Sequence, residues 1–308
     1  MIVLLNSQAT GGVPIIEGGI DDPSTILPIM ITITAGTIFL MWLGDLISEK
    51  GIGNGISMLI FASIIAGVPT VFGQSLFLSL EDPEKTLPFT IILLMTVFIT
   101  VFIVIITEAQ RKIPITYAGR GARGKSDQAA LPLRINQAGM IPIIFAVSMV
   151  SFPQVIGNLM TAANSEWVRN LGTWLSNTLQ VNSTPYLIAY FLLVFAFTYF
   201  YVSITFNPEQ VAENIQKRGG YVPGLRPGKQ TSEYIAKVSN RLTFFGGLFL
   251  ALVAITPLLI QQAFTGLDFG SMPLLISGAG MIIIVGVVLE LMRQVNADLV
   301  LHDYSKFY

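Results

Sequence analysis

Seven long apolar segments dominate the chain, and each is long enough to cross a bilayer, whose hydrocarbon core needs about 17 to 25 apolar residues per helix. They carry few interior charges and lie at residues 26–46, 55–72, 87–107, 138–159, 186–206, 242–261 and 274–291. Of the 308 residues, 53% are hydrophobic and 11% are charged, which leaves too little polar surface for a soluble globule. The sequence therefore predicts an all-α, polytopic membrane helical bundle with seven transmembrane helices, of which the second and the last are short.

The basic residues of the connections predict the orientation of this bundle. All but two of the 17 Lys and Arg residues lie in alternate connections or in the C-terminal tail, the exceptions being Lys85 and Arg169. Because basic connections face the cytoplasm, we expect the C-terminus inside and Met1 outside. Residues 1–5 are too short for the core of a signal peptide that could place Met1 there. We therefore expect the chain to be the C-terminal part of a longer membrane protein.

Two basic loops extend from what we otherwise expect to be a single membrane domain over residues 1–308. The first basic loop (108–137) alternates apolar residues around a tip rich in glycine and charge, which predicts a β-hairpin. The alternating residues are Ile113, Ile115, Tyr117, Leu131, Leu133 and Ile135. Basic residues beside a span attract anionic lipids for about 1 kcal/mol each, but a lipid anchor needs no ordered hairpin. The pattern therefore favours a protein or RNA partner over lipid alone.

The second basic loop (207–241) combines two predicted helices with a stiff turn. The first helix is capped by Asn207, and the second begins at about Thr231 with a Glu233–Lys237 pair at i,i+4 spacing. Between them lies the sequence VPGLRPG, in which proline and glycine predict turns around Arg226. A rigidly displayed arginine suits a docking contact, because little entropy is lost on binding, and a solvated turn arginine is the alternative.

The composition excludes several classes of site. The chain has no cysteine, which excludes disulfides and thiolate ligands, and its single histidine, His302, leaves no histidine cluster for a metal. The acidic residues nearest the spans, Asp45 and Glu290, fall close to predicted cytoplasmic ends, whereas carriers and proton pumps place charge at mid-span. We therefore expect no cofactor, no metal, no catalysis and no ion-coupled transport.

The spacing of residues in two further features does not by itself indicate a function. The sequence GIGNGIS between the first two spans predicts a tight turn and not a phosphate loop, because no strand precedes it and no Gly-Lys-Ser/Thr follows. The mid-span isoleucines, of which Ile60 and Ile64 are at i,i+4 spacing, are by themselves explained better by packing or by contact with lipid than by a pore.

Three stretches of sequence resemble the SecY family, whose members form the pore of the bacterial protein-conducting channel. They are LMWLG with GIGNGIS, QRKIPITYAGR with LPLRINQAGMIPIIFA, and FNPEQVAENIQKRGGYVPGLRPGKQTSEYIAKVSNRLTFFGG. The resemblance covers essentially the whole chain and implies an incomplete ten-helix SecY fold, with the fourth to the tenth spans present. It also implies that the plug and two pore-ring positions, which the second span of the family supplies, lie outside this chain.

The resemblance implies a hydrophobic pore ring at Ile60, Ile64, Ile144 and Ile283, although an isoleucine adjacent to Ile283 is an alternative. Branched aliphatic side chains around a narrow waist exclude water and ions, and they deform around a passing chain of any sequence.

Positions of a lateral gate and of a docking surface are implied in the same way. The gate positions are Asn136 and Phe152, and a helix cap is the alternative role for Asn136.

In the family the two basic loops engage the SecA motor or the ribosome, where phosphate contacts with rRNA would use the same cations. The implied docking residues are Arg226, Arg111, Lys112, Arg120, Arg123, Arg134, Lys217 and Arg218.

The function expected from the resemblance is that of a protein-conducting channel subunit in the bacterial cytoplasmic membrane. It would pass unfolded secretory polypeptides across the membrane and insert membrane proteins into it, with SecE and SecG as partner subunits and anionic lipids around it. The chain is not expected to be an enzyme, because SecA or the ribosome supplies the work. A seven-span receptor and a secondary transporter are the alternatives, and both would need a polar site within the membrane.

Overall fold

The computed structural model describes residues 23–50, 53–117, 128–161, 165–181, 183–263 and 277–305. The helices and strands, in chain order, are α1 (Pro23–Lys50), α2 (Gly55–Glu81), α3 (Pro83–Glu108), β1 (Gln110–Tyr117), β2 (Gln128–Arg134), α4 (Ile141–Thr161), α5 (Glu166–Thr178), α6 (Thr184–Thr205), α7 (Pro208–Lys217), β3 (Gly220–Tyr221), α8 (Lys229–Ala263) and α9 (Gly278–Ser305). Apart from three strands, the regular structure in these ranges is helical.

Seven helices in the described ranges are long and apolar enough to cross a membrane. They are α1, α2, α3, α4, α6, α8 and α9, and each overlaps one of the apolar segments of the sequence. This confirms the predicted all-α, polytopic helical bundle.

The prediction that the second and the last spans are short was wrong. Helix α2 has 27 residues and α9 has 28. Helix α2 continues past Phe72 because neither proline nor charge interrupts residues 73–80, and it ends at Glu81 just before Pro83. Helix α9 continues past Leu291 through a mixture of polar and apolar residues that is compatible with a helix.

The described chain divides into two compact units. Unit 1 draws on Met1–Gln74, Met149–Leu187 and Ile283–Tyr308, and unit 2 on Ser75–Ser148 and Ile188–Ile282, as far as these ranges are described. The boundaries fall within α2, α4, α6 and α9.

Within unit 1, glycines allow a close approach of α1 and α2. Gly53 has a φ of +100°, a conformation that favours glycine. The N–H of Gly55 donates to Ser48 Oγ at 2.8 Å, and a Cβ on Gly55 would collide with the carbonyl oxygen of Gly44. The backbones of the two helices therefore meet where GIGNGIS predicts a tight turn.

Unit 2 contains an antiparallel sheet with the strand order β2–β1–β3. Strand β1 pairs with β2 along most of its length, from Gln110 opposite Arg134 to Thr116 opposite Gln128. This pairing confirms the predicted hairpin, whose tip at residues 118–127 lies outside the described residues. Strand β3 belongs to the second basic loop and pairs with the end of β1, where Thr116 lies opposite Tyr221. The two basic loops therefore form one structure, which the sequence analysis did not predict.

A single apolar core holds this structure together. Its eight buried residues are Ile113, Ile115, Leu133, Ala212, Ile215, Val222, Ile235 and Val238. They come from both basic loops, so each loop buries apolar side chains of the other. Gly220 permits the contact at β3, because a Cβ there would lie 2.8 Å from the ring of Tyr117.

In the membrane-spanning part of unit 2, α8 contributes the most buried helix face. Leu250 and Ala251 are fully buried. The ring of Phe249 meets that of Phe102 on α3 at a centroid distance of 5.5 Å, and Phe244 meets Phe195 on α6 at 5.8 Å. Aromatic edge contacts therefore pack α8 against α3 on one side and α6 on the other.

Candidate functional site

The sheet of unit 2 separates its cations onto two faces. Directly opposed residues of antiparallel strands share a face, so Arg111, opposite the buried Leu133, lies on the core face. Lys112 and Arg134 lie on the other face and are exposed. The outer face of the hairpin therefore presents these two cations to solvent, whereas Arg111 lies on the side of α8.

Arg111 lines a cleft of about 430 Å³ between β1 and α8. The lining residues are Arg111, Tyr234, Lys237, Val238, Arg241, Leu242 and Phe245. Within the described part of the chain, its three cations form no ion pair shorter than 4.0 Å. The cleft is therefore positively charged above an apolar wall.

The predicted pair between Glu233 and Lys237 was wrong, because no ion pair joins these residues in the described structure. Lys237 instead lines the cleft with Arg111. An exposed pair of this kind contributes only about 0.3 to 0.5 kcal/mol, too little to fix the direction of a lysine.

The backbone of Arg226 is fixed on both sides while its side chain is exposed. Its N–H donates to Gln230 Oε1 at 3.3 Å, and its carbonyl oxygen accepts from Thr231 Oγ1 at 3.0 Å. Glycines with positive φ flank it, Gly224 at +85° and Gly228 at +95°. The turn therefore holds Arg226 outward, as the VPGLRPG sequence predicts, and no partner within 4.0 Å neutralises it among the described residues.

Helix α7 brings two more cations to the same structure. Asn207 caps it as predicted, since its Oδ1 accepts from the N–H groups of Glu209 and Gln210 at 3.0 and 3.2 Å. Lys217 pairs with Glu213 at 2.8 Å, whereas Arg218 is exposed at the helix end. Arg120 and Arg123, the remaining docking candidates, lie outside the described residues.

Three of the four isoleucines of the implied ring lie in unit 1, and they lie at similar distances along their helices from one contact between α2 and α9. Gly53 lies beside the side chain of Leu291, which brings the start of α2 next to α9. Ile60 and Ile64 follow Gly53 by seven and eleven residues, and Ile283 precedes Leu291 by eight. At a rise of 1.5 Å per residue, all three side chains are about 10 to 16 Å from that contact, near the middle of a core about 30 Å thick.

The isoleucines differ in burial and in depth within their helices. Ile60 and Ile64 are half-buried, and Ile283 is buried like its neighbour Ile282. Ile144, in unit 2, is half-buried and lies in the first turn of α4, because that helix begins at Ile141 and not at residue 138. The ring itself stays a prediction.

Asn136 and Phe152 occupy different environments. Asn136 is buried, and its Oδ1 accepts from the N–H of Gly139 at 3.0 Å in the turn before α4. This bond fits the alternative of a capping residue, and the gate role of Asn136 stays a prediction. Phe152 on α4 is 60% exposed.

Gln137, the residue after Asn136, was not predicted to have a role. Its side-chain oxygen accepts a hydrogen bond from Ser239 Oγ of α8 at 2.9 Å, which ties the start of α4 to that helix.

The described residues contain no group of three or more His, Asp or Glu side chains that could hold a metal ion.

Comparison with known proteins identifies the family. The SecY family model matches residues 1–292. The chain is 40% identical over 294 residues to the protein translocase subunit SecY of Halalkalibacterium halodurans, covering 92% of this chain and 66% of that protein. Against the same subunit of Staphylococcus epidermidis it is 40% identical over 287 residues, covering 91% of this chain and 64% of that protein. The chain therefore spans slightly less than two thirds of the length of these relatives.

Solved structures agree with this fold. A SecY structure described by the role of its plug domain in stabilising the closed state matches with a TM-score of 0.64 and 20% identity, over 92% of this chain and 68% of that one. A structure of a protein-conducting channel matches with a TM-score of 0.62 and 19% identity, over 92% and 67%. With seven apolar spans, the same fold and a matching family model, the chain is a membrane protein that belongs to the SecY family.

Proposed function

We propose that the chain is a subunit of a protein-conducting channel that passes unfolded polypeptides across the bacterial cytoplasmic membrane and inserts membrane proteins into it. The observation that carries the proposal is the 40% identity, across 92% of the chain, to a protein translocase subunit. A receptor and a secondary transporter have no comparable support.

The seal of this channel would be formed by Ile60, Ile64, Ile144 and Ile283. The similar heights of three of them, near mid-membrane, support a ring. Their branched side chains have no hydrogen-bonding groups, so they would exclude water and ions when the channel is empty. The same property lets the seal deform around a polypeptide without selecting its sequence.

The two basic loops would form the docking surface for SecA or the ribosome. Support comes from their common core and from the exposed, unneutralised Arg226 on a fixed turn. Lys112 on the hairpin and Arg218 on α7 add positive charge suited to acidic protein surfaces or to rRNA phosphates, and Arg134 is exposed on the same face of the hairpin as Lys112. Arg111 belongs to the charged cleft, and Lys217, which pairs with Glu213, contributes less net charge.

The remaining partners follow from this assignment. SecE and SecG would complete the channel, an unfolded preprotein would be its substrate, and anionic lipids would neutralise the basic side of the membrane. The basic loops and the C-terminus would lie in the cytoplasm, as their Lys and Arg content requires. The chain would not be an enzyme itself, because ATP hydrolysis by SecA or chain elongation supplies the work.

Reconstitution tests the proposal. Vesicles containing this chain with SecE and SecG should import an unfolded preprotein when SecA and ATP are added. Arg226→Glu should abolish motor-driven import while leaving insertion of the chain into membranes unchanged, because the charge reversal affects only the docking surface. The matched control is Lys229→Glu, which reverses the charge of an exposed residue three positions further along the same loop. It should reduce import less than Arg226→Glu does. Normal import by Arg226→Glu would contradict the docking role, and ion-coupled solute uptake or an agonist response would contradict the channel.

A further inference from the structure

We propose that α5 is an interfacial helix, whose tryptophan face lies among phospholipids in the leaflet opposite the basic loops. This inference does not rest on the channel function, because it requires only that α4 and α6 cross the membrane.

Exposure and spacing define the tryptophan face, which consists of Trp167, Leu171 and Trp174. The two indoles are 71% and 63% exposed, and Leu171 is 38% exposed. Steps of four and three residues place all three side chains on one stripe of the helix. Polar Arg169 and Thr173 lie on another side, so α5 has separate apolar and polar faces.

A third side of α5 is fixed against α4 by two glycines. A Cβ on Gly172 would lie 2.7 Å from the carbonyl oxygen of Gly157, and a Cβ on Gly157 would lie 3.0 Å from the carbonyl oxygen of Gly172. The two backbones therefore touch, and Gly172 is buried. Because Gly172 faces α4, the direction of the tryptophan face is set by the fold and not by chance rotation of a free helix.

The position of α5 in the chain places it at the surface of the bilayer. It connects the end of α4 at Thr161 to the start of α6 at Thr184, both of them spans, on the side away from the hairpin that precedes α4. Its 13 residues extend about 20 Å, too short for a core about 30 Å thick. A short amphipathic helix between two span ends is therefore expected to lie in the membrane plane.

Phospholipid is the occupant that the chemistry of this face favours. An indole combines an apolar ring with an N–H donor, which suits the boundary between acyl chains and headgroups. The side chains of Ile156 and Leu159, near the end of α4 that leads to α5, are also exposed and apolar. The charges of α5, Glu166 and Arg169, approach each other at 4.0 Å. Binding should therefore depend on the indoles and not on anionic headgroups.

Tryptophan fluorescence tests the proposal, because only three tryptophans are present in the chain and Trp42→Phe leaves the two on α5. The full-length Trp42→Phe chain is reconstituted into phosphatidylcholine vesicles containing lipids brominated at different depths. We expect strongest quenching by lipids brominated near the headgroup, at a depth of about 5 to 10 Å, and weak quenching by aqueous acrylamide. Replacing part of the lipid by phosphatidylglycerol should leave the quenching unchanged.

The matched control moves the indole to the polar face. In a chain whose native tryptophans are all replaced by phenylalanine, Thr173→Trp should be quenched by acrylamide and not by brominated lipid. Three results would overturn the proposal: acrylamide quenching of both faces, strongest lipid quenching at the acyl chain ends, or protection from both quenchers, which would mean that protein covers the face. Retention of the helical circular dichroism spectrum verifies that each variant is folded.

Discussion

Ile235→Ala should open the hairpin of the other basic loop, although Ile235 and the hairpin are about 100 residues apart in sequence. Ile235 on α8 is fully buried in the core that also contains Ile113, Ile115 and Leu133. The substitution removes three carbon atoms, which corresponds to about 2.4 kcal/mol at about 0.8 kcal/mol for each buried CH₂, within the range of about 2 to 5 kcal/mol typical of such changes.

Limited trypsin digestion in membranes measures this effect at Lys112, which lies within β1. When opening is fast relative to cleavage, the rate follows the population of the open form, so 2.4 kcal/mol should increase cleavage at Lys112 by about fifty-fold. Exposed Glu233→Ala, two residues from Ile235 on the same helix, is the control and should change the rate little. If Ile235→Ala behaves like Glu233→Ala at Lys112, the two loops do not share a core.

The further predictions concern the spans. Ile60→Asn should increase ion conductance through the resting channel in planar bilayers, because a polar side chain lowers the free-energy cost of wetting the hydrophobic seal. The control is Phe98→Asn, on the exposed face of α3. An equal increase in conductance for both variants would contradict a specific role of the ring. Gly246→Ala should destabilise the protein by about 1 to 3 kcal/mol, since the new Cβ would collide with the carbonyl oxygen of Ile135. Gly286→Ala, with nothing within 4 Å of its added Cβ, should not lower the midpoint of thermal unfolding in detergent.

Periodicity in the sequence was sufficient to predict the spans and the hairpin. Runs of apolar residues identify the spans directly, and the alternation around Ile113 and Leu133 identifies β1 and β2. Helix ends were less predictable, because α2 and α9 continue through residues that neither favour nor forbid a helix. Helix α5 was missed, although its tryptophans recur at helical spacing behind Ser165 in the N-cap position.

Contacts between the two loops could not be predicted from local patterns. Strand β3 is two residues long, and its partner lies more than 100 residues earlier, so only the pair Gly219 and Gly220 indicated an unusual backbone. The position of Lys237 in the cleft likewise depends on β1, a distant segment. The isoleucine ring was suggested by family resemblance alone, since isoleucines at mid-span are chemically indistinguishable from packing residues.

The most direct test of a polypeptide pathway is site-specific photo-crosslinking to a preprotein arrested in transit. A photoreactive phenylalanine analogue replaces Ile64 in one variant and Phe98, whose side chain is 68% exposed on α3, in the other. The arrested preprotein should crosslink to position 64 and not to position 98, and only when SecA and ATP are present. Crosslinking at position 98 alone, or none at position 64, would contradict a pathway lined by the isoleucines.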